Sequence, residues 1–236
     1  MKRLKSLLLG LFIFLTLNNH AQEFGKLFDE RDQKTYKTIK LGEDTWMAEN
    51  LRFWVEKDSP HYVGVSHFYR GNNQNYQLYG RLYPWEVAMK VCPEGWHLPS
   101  PDEWIALINS FGDIFNEEHR IPTKKQSSKA EVKRRKALYK DIYAALITGG
   151  SSGFNVGYGG FRDPHKFQGV SIRTASGYYS GLGTVARFWT NDDKIEKGMF
   201  KKLKAKAFQF SKMGKSFFYL PYRKSIGSSV RCVKNR

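Results

Sequence analysis

The stretch CPEGWHLPSPDEW, from Cys92 to Trp104, is the most informative part of the chain, because one helix ends in it and another begins. Pro93 and Gly95 are typical of a helix end. Ser100 can accept a hydrogen bond from the backbone of Glu103, whose side chain can reach back to the serine, and this pattern predicts a capping box. The stretch therefore predicts two consecutive helices joined by a short connection.

The apolar residues on both sides of this connection repeat at helical spacing. Trp85, Ala88, Met89 and Cys92 stand at i, i+3, i+4 and i+7, which predicts a first helix that directs Cys92 toward the core. The same spacing after Ser100 predicts a second helix that ends before Gly112. We expect one buried cluster formed by Trp85, Met89, Trp96, Trp104, Leu107, Ile108 and Phe111.

A third helix is predicted from Ser128 to Ile147, with Glu131 in the position that completes a capping box. Its basic side carries Lys129, Lys133, Lys136 and Lys140. These lysines are either a solvated face or an anion-binding surface. Both interpretations are open on the sequence, and the second makes them the candidate residues for binding a polyanion.

Strands are predicted on both sides of the helices. Thr35–Leu41 and Thr45–Met47 form a predicted hairpin around Gly42. The Gly-, Ser- and aromatic-rich sequence from 150 to Trp189 is typical of short strands joined by tight turns. Ala205–Phe210 and Ser228–Val233 are predicted as closing strands.

The N-terminal segment is predicted to be a secretory signal peptide that covers residues 1–21. It has a cationic start and an apolar run, Leu7–Leu17, that is too short to cross a bilayer. No cysteine follows the run to serve as a lipoprotein anchor, and no later segment is apolar enough to be transmembrane. We therefore expect a protein that is secreted or located at the cell surface or in the periplasm.

Composition favours one disulfide-bonded domain over residues 22–236. The chain has 236 residues, no Gly/Ser-rich or Pro-rich linker and no internal repeat. Its two cysteines are Cys92 and Cys232, and in an exported chain their positions predict a bond between the middle and the end of the sequence. A formal charge of +17 makes it a basic protein and favours contact with anionic polymers or surfaces.

Five segments in this order resemble the Fibrobacter succinogenes major paralogous domain, and the resemblance covers about Phe28 to Asn235. They are DERDQKTYKTIKLGEDTWMAENL, YGRLYPWEVAMKVCPEGWHLPSPDEW, GGSSGFNVGYGGFRD, ARFWTND and GSSVRCVKN. The resemblance implies an α+β, C-type-lectin-like fold, with two main helices flanking a small mixed, loop-rich sheet; the basic amphipathic helix is additional. It also implies a bond from the first helix to the last strand. Tyr62–Gln77 and Lys194–Lys215 depart from the family pattern.

Catalytic and metal-binding chemistry finds little support in the sequence. Trp189–Asp193 resembles the Trp-Asn-Asp calcium motif of sugar-binding lectins, but Thr190 interrupts it, so Asn191 and Asp192 are candidate ligand-binding residues and no metal site is predicted. Formylglycine-generating enzymes have a related core and two reactive cysteines, whereas the pair here suits a structural bridge. His97, just before a capped helix, is expected to be packed. We therefore predict no enzymatic activity and no cofactor.

Two binding functions are consistent with these features. The first is an exported recognition or adhesion module that binds a glycan or protein at the cell exterior through its Gly- and Tyr-rich loops. Tyrosines in these loops can stack on sugar rings, and the candidates are Tyr158, Tyr178 and Tyr179. The alternative is an electrostatic binder of anionic polymer, including nucleic acid, through the lysine-rich segments.

Overall fold

A computed structural model describes residues 23–54, 56–62, 64–115, 128–165, 172–174, 177–195 and 201–236. Within these ranges the chain is a mixed α+β structure with two sheets and four helices. The predicted signal peptide, residues 1–21, lies outside the described residues.

The elements alternate along the chain. The strands are β1 (Phe24–Asp29), β2 (Lys34–Leu41), β3 (Asp44–Met47), β4 (Trp96–His97), β5 (Gly159–Asp163), β6 (Ile172–Thr174), β7 (Gly177–Leu182), β8 (Val185–Trp189), β9 (Lys204–Ser211), β10 (Ser216–Arg223) and β11 (Val233–Lys234). The helices are α1 (Asn73–Tyr79), α2 (Trp85–Ala88), α3 (Pro101–Asn109) and α4 (Lys129–Leu146).

The first sheet joins the beginning of the described chain to its end, in the order β1-β2-β3-β11-β4. The predicted hairpin is present as β2 and β3, and Ile39 pairs with Trp46. Val233 of β11 then pairs with Trp46 on one side and His97 on the other. The predicted closing strand Ser228–Val233 is thus shorter than expected, and residues 228 and 229 form isolated bridges instead.

The second sheet has the order β10-β9-β8-β5-β7-β6 and contains the predicted short strands after residue 150. The predicted strand Ala205–Phe210 is present as β9. The strand that follows it, β10, was not predicted. It pairs with β9 over its whole length and forms the sheet edge.

The residues at the N-terminal caps of α3 and α4 are the predicted serines. Ser100 and Glu103 form the predicted capping box, whereas at α4 Ser128 Oγ accepts from the backbone N–H of Glu131 without the reciprocal bond that would complete the box. The first predicted helix is wrong in length, because α2 ends at Ala88 and Cys92 lies beyond it. Pro93 disfavours a helical conformation for the residue before it, and the chain turns away there.

The core consists of two large clusters rather than the single one predicted. Trp104, Leu107 and Ile108 belong to the first, and Phe111 packs against it. Trp85 belongs to the second, and Trp96 packs against that one. Met89 is 42% exposed, because it lies at the end of the short α2 and turns away from both clusters. Both clusters contain residues of both sheets, so the sheets share one interior.

The predicted bond between Cys92 and Cys232 is present. Their Cα atoms lie 5.9 Å apart, within the range that a disulfide allows, and 140 positions separate them in sequence. Cys232 is fully buried in the second cluster. The bond therefore ties the connection after α2 to the end of the chain inside the core.

Candidate functional site

A cleft of about 600 Å³ opens between the first sheet, the end of α1 and the C-terminal part of α4. Its walls bring together residues that are far apart in the sequence. Among them are Lys37, Tyr79, Thr148, Tyr158, Lys212 and Arg231. A concave surface assembled from aromatic and polar groups in this way is the usual form of a ligand-binding site.

Aromatic side chains form one wall of the cleft. Tyr79 lies against the backbone of Gly157 and Gly159, where an added Cβ would approach the tyrosine side chain to 3.4 and 2.9 Å. The hydroxyl groups of Tyr158 and Tyr143 are hydrogen-bonded to each other, which holds Tyr158 against α4. Burial, together with this hydrogen bond, raises the pKa of Tyr158 above its ordinary value. Tyr158 is therefore a neutral, fixed aromatic group at the wall.

A buried guanidinium forms the floor. Arg231 donates from Nε to Oδ1 of Asn50 at 2.9 Å, from Nη2 to the carbonyl of Asn155 at 2.6 Å, and from Nη1 to the carbonyl of Phe154. The amide of Asn50 in turn donates to the carbonyl of Tyr79 at 2.9 Å. Complete burial lowers the pKa of Arg231 to about 9. The donors of Arg231 are thus used to hold the floor together.

Lysines at the rim provide positive charge that is available to a ligand. Lys37, Lys212 and Lys215 are exposed, and none of them forms an ion pair with any residue of the described ranges. Lys212 Nζ lies 6.0 Å from the centre of the Tyr158 ring. An ammonium group and an aromatic face are thus neighbours at the mouth of the cleft.

A second, more open hollow lies beside α4. It has a volume of about 600 Å³ and is lined by Lys133, Lys136 and Lys140, three of the four lysines predicted to bind a polyanion. The fourth, Lys129, is exposed but does not line it. Lys215 lines both this hollow and the cleft, so the two are adjacent.

The other predicted tyrosines lie elsewhere. Tyr179 is only 2% exposed and packs against the Tyr69 ring, 5.2 Å away, so little of its ring is accessible for the expected stacking on a ligand. It packs inward because its position on β7 faces the small cluster formed with Leu82. Tyr178, its neighbour on the opposite face of the strand, is partly exposed and does not line the cleft.

Asp192, one of the candidate ligand-binding residues, is held by neighbouring side chains. The carboxylate of Asp192 accepts from Lys206 Nζ at 2.9 Å and from Tyr219 Oη at 2.7 Å. Burial alone would raise the pKa of Asp192, but these hydrogen bonds lower it below its ordinary value. Asn191 is exposed. Across the part of the chain that the structure describes, no group of three His, Cys, Asp or Glu side chains is placed to hold a metal ion.

His97 is held in a structural network. Its Nε2 lies 2.7 Å from Glu103 Oε1, and its Nδ1 lies 2.7 Å from Asn235 Oδ1. The other oxygen of Glu103 accepts from the backbone N–H and hydroxyl of Ser100. This network connects β4, the α3 cap and the end of the chain, and it engages both ring nitrogens of His97, whose side chain is 38% exposed.

Several residues of the cleft were not identified from sequence. Tyr79, Lys37 and Asn50 lie on different elements, and no local pattern connects them. The one available signal was the lysine-rich segment that ends at Lys215. This segment departs from the family pattern, and it contributes Lys212 and Lys215 to the cleft.

The fold and site define a disulfide-bonded α+β protein with an open, basic, aromatic-lined cleft. The chain belongs to the Fibrobacter succinogenes major domain family, whose model matches residues 39–234. Comparison with curated proteins and with solved structures found no match. Over the described ranges, no helix combines the length and the apolar character needed to cross a membrane.

Proposed function

We propose that the protein is an exported, non-catalytic recognition module that binds a glycan in the cleft. The single observation that carries the proposal is that fixed tyrosine rings lie in the cleft beside lysine ammonium groups that form no ion pair with a described residue. Tyr79 and Tyr158 provide ring surface for the apolar faces of a sugar, and Lys37 and Lys212 provide ammonium groups for its oxygens. Both tyrosines are held by neighbouring groups before any ligand arrives, which reduces the entropy lost on binding.

Export and the finer fold assignment belong to this proposal. We infer that residues 1–21 are removed as a signal peptide and that residues 22–236 form one domain with a C-type-lectin-like fold. The disulfide supports an oxidising compartment. The bond from the connection after α2 to the residue preceding β11, and the pairing of β3 with β11, agree with the arrangement expected for that fold.

A non-catalytic role is supported by how the reactive side chains are used. Both cysteines, which a mechanism like that of formylglycine-generating enzymes would need as thiols, are joined to each other. His97 is occupied by Glu103 and Asn235. The groups at the cleft mouth are suited to contact a ligand without changing it.

A glycan array followed by calorimetry tests this function. We expect Tyr79→Ala and Tyr158→Ala each to weaken binding of the best array ligand about tenfold, because each removes a stacking surface. Tyr62→Ala, which changes a partly exposed tyrosine away from the cleft, is the matched control and should leave binding unchanged. Equal loss in all three variants, or no glycan bound at all, contradicts the proposal.

A further inference from the structure

The hollow beside α4 and the cleft are both bordered by α4 and by the turn between β9 and β10. This turn carries Lys212 and Lys215, and Lys215 lines both cavities. Lys212 N–H donates to the carbonyl of Thr184 at 2.8 Å, and Phe217 N–H donates to Tyr139 Oη at 2.6 Å. The turn is therefore attached to the β7–β8 turn on one side and to α4 on the other, so it holds the two cavities side by side.

The lysines that line the α4 hollow and the cleft form a path of positive charge from one to the other. Lys206 and Lys224 pair with Asp192 and Asp193 at 2.9 Å. By contrast, no ion pair with a described residue is formed by Lys133, Lys136, Lys140, Lys212 or Lys215.

One acidic residue, Asp141, is among the residues that line the α4 hollow. Positive charge is thus in excess along the path, which attracts an anionic ligand. From Lys133 to Lys140 the path follows α4 for about 10 Å, since each helical residue advances about 1.5 Å. That length exceeds what one small anion would need.

We propose that the cleft and the α4 hollow together bind one linear acidic polysaccharide, whose chain passes over Lys215. This inference rests on the proposed function of the cleft and names its ligand class. A sugar unit stacks against the cleft tyrosines, and the carboxylate or sulfate groups of following units meet Lys215, Lys140, Lys136 and Lys133. The cleft determines which sugar unit is bound there, and the lysines extend the contact along the rest of the polysaccharide.

The aromatic groups favour a polysaccharide over single-stranded nucleic acid. Proteins that bind single strands stack successive bases on exposed rings. Among the residues that the structure describes, the one aromatic side chain that lines the α4 hollow is that of Tyr139, and its ring is stacked on Phe217 with centroids 4.2 Å apart. Because that ring already has a partner, the hollow offers charge without a base-stacking surface.

Calorimetry with oligogalacturonides of two and ten units tests the inference on the full chain. The test variant combines Lys133→Glu, Lys136→Glu and Lys140→Glu. The control combines Lys90→Glu, Lys202→Glu and Lys234→Glu, which changes the net charge equally at exposed sites outside both cavities. We expect the test variant to weaken binding of the ten-unit chain about tenfold at low salt, and binding of the two-unit chain much less.

Each other outcome has a definite meaning. Equal weakening by the test and control variants indicates a net-charge effect and overturns the inference. If the wild-type protein binds two and ten units equally well, the α4 hollow is not used and only the cleft function remains. If a deoxythymidine decamer binds as tightly as the ten-unit chain, the ligand class is wrong. If neither oligogalacturonide binds, the inference falls, while a neutral glycan that needs Tyr158 preserves the proposed function.

Discussion

Arg231 and Asn50 are separated by 181 positions in the sequence, yet Arg231 Nε donates to Asn50 Oδ1 over 2.9 Å beneath the cleft. The same guanidinium lies over the Phe154 ring, 4.3 Å from its centre. Asn50 and Arg231 thereby connect the segment after β3 to the segment before β11. The floor of the cleft depends on this contact.

Arg231→Met should strongly destabilise the protein. The substitution removes the donors for Asn50 and for two backbone carbonyls, and each buried acceptor left without a partner costs about 1–3 kcal/mol. We expect the free energy of unfolding in guanidinium chloride to fall by about 3 kcal/mol or more. Arg231→Lys should also destabilise, because one ammonium group cannot replace the planar fork. Arg223→Met, at an exposed position, is the control, and a comparable loss there would contradict this account.

Trp104→Ala should cost about 3–5 kcal/mol by leaving a large cavity. Trp104 is fully buried and contacts the rings of Trp46, Phe154 and Phe208 at centroid distances of 5.0 to 5.7 Å. Trp54→Ala is the matched control, since Trp54 is 42% exposed. Thermal unfolding measures both variants, and a melting temperature for Trp104→Ala equal to that of the control would disprove the central position of Trp104.

Replacing both cysteines by serine should destabilise the protein by on the order of 4–5 kcal/mol in the chain-entropy model, because the bond closes a very long loop. The measurement is the denaturation midpoint of the double variant against the oxidised wild type. Alkylation of the unreduced, denatured wild type followed by mass spectrometry is the control for the bond itself. Two modified cysteines in that control would exclude the bond.

Acidification should destabilise the protein through His67. Burial, followed by the positive charges of Arg162 and Arg81, lowers the pKa of His67 to about 4. The unfolded chain takes up this proton near pH 6.5, so the folded state is progressively disfavoured as pH falls from about 6.5 to 4. The difference between these two pKa values corresponds to about 3.5 kcal/mol at most. Because His67 is partly exposed and solvent screens its charge, we expect a loss of about 2 kcal/mol across that window.

His67→Gln tests this assignment because glutamine does not titrate. The variant should show a flatter dependence of unfolding free energy on pH between 6.5 and 4. His61→Gln, at an exposed histidine, should keep the wild-type slope. If both variants retain that slope, the acid sensitivity arises from other groups.

Local signals allowed the sequence to predict the starts of α2, α3 and α4 and the first hairpin, whereas α1 was not predicted. Ser100 and Glu103 act within one helical turn, so their pattern can be recognised without knowledge of the rest of the fold. The length of α2 was overestimated, because the apolar spacing continues to Cys92 whereas the helix ends at Ala88. Strand β10 was missed because Pro221 argues against a strand, although proline is tolerated at the sheet edge where β10 lies.

The cleft was harder to predict than the fold, since its residues meet only through tertiary packing. The basic face of α4 was correctly predicted as an exposed face. The position of this basic face relative to Tyr158 depends on the turn between β9 and β10. The position of that turn in turn depends on β10, the strand that was not predicted. The burial of Tyr179 likewise depends on Tyr69, which lies 110 residues earlier.

The central position of residues 228–234 affects how the protein can be made. These residues pair with β3, β4 and β8, and Cys232 lies in the interior, yet they leave the ribosome after every strand that they contact. Until they emerge, a nascent chain lacks the segment that joins its two sheets, and the many long-range pairings also make folding slow. The shared interior of the two sheets can therefore close only after residues 228–234 have been synthesised.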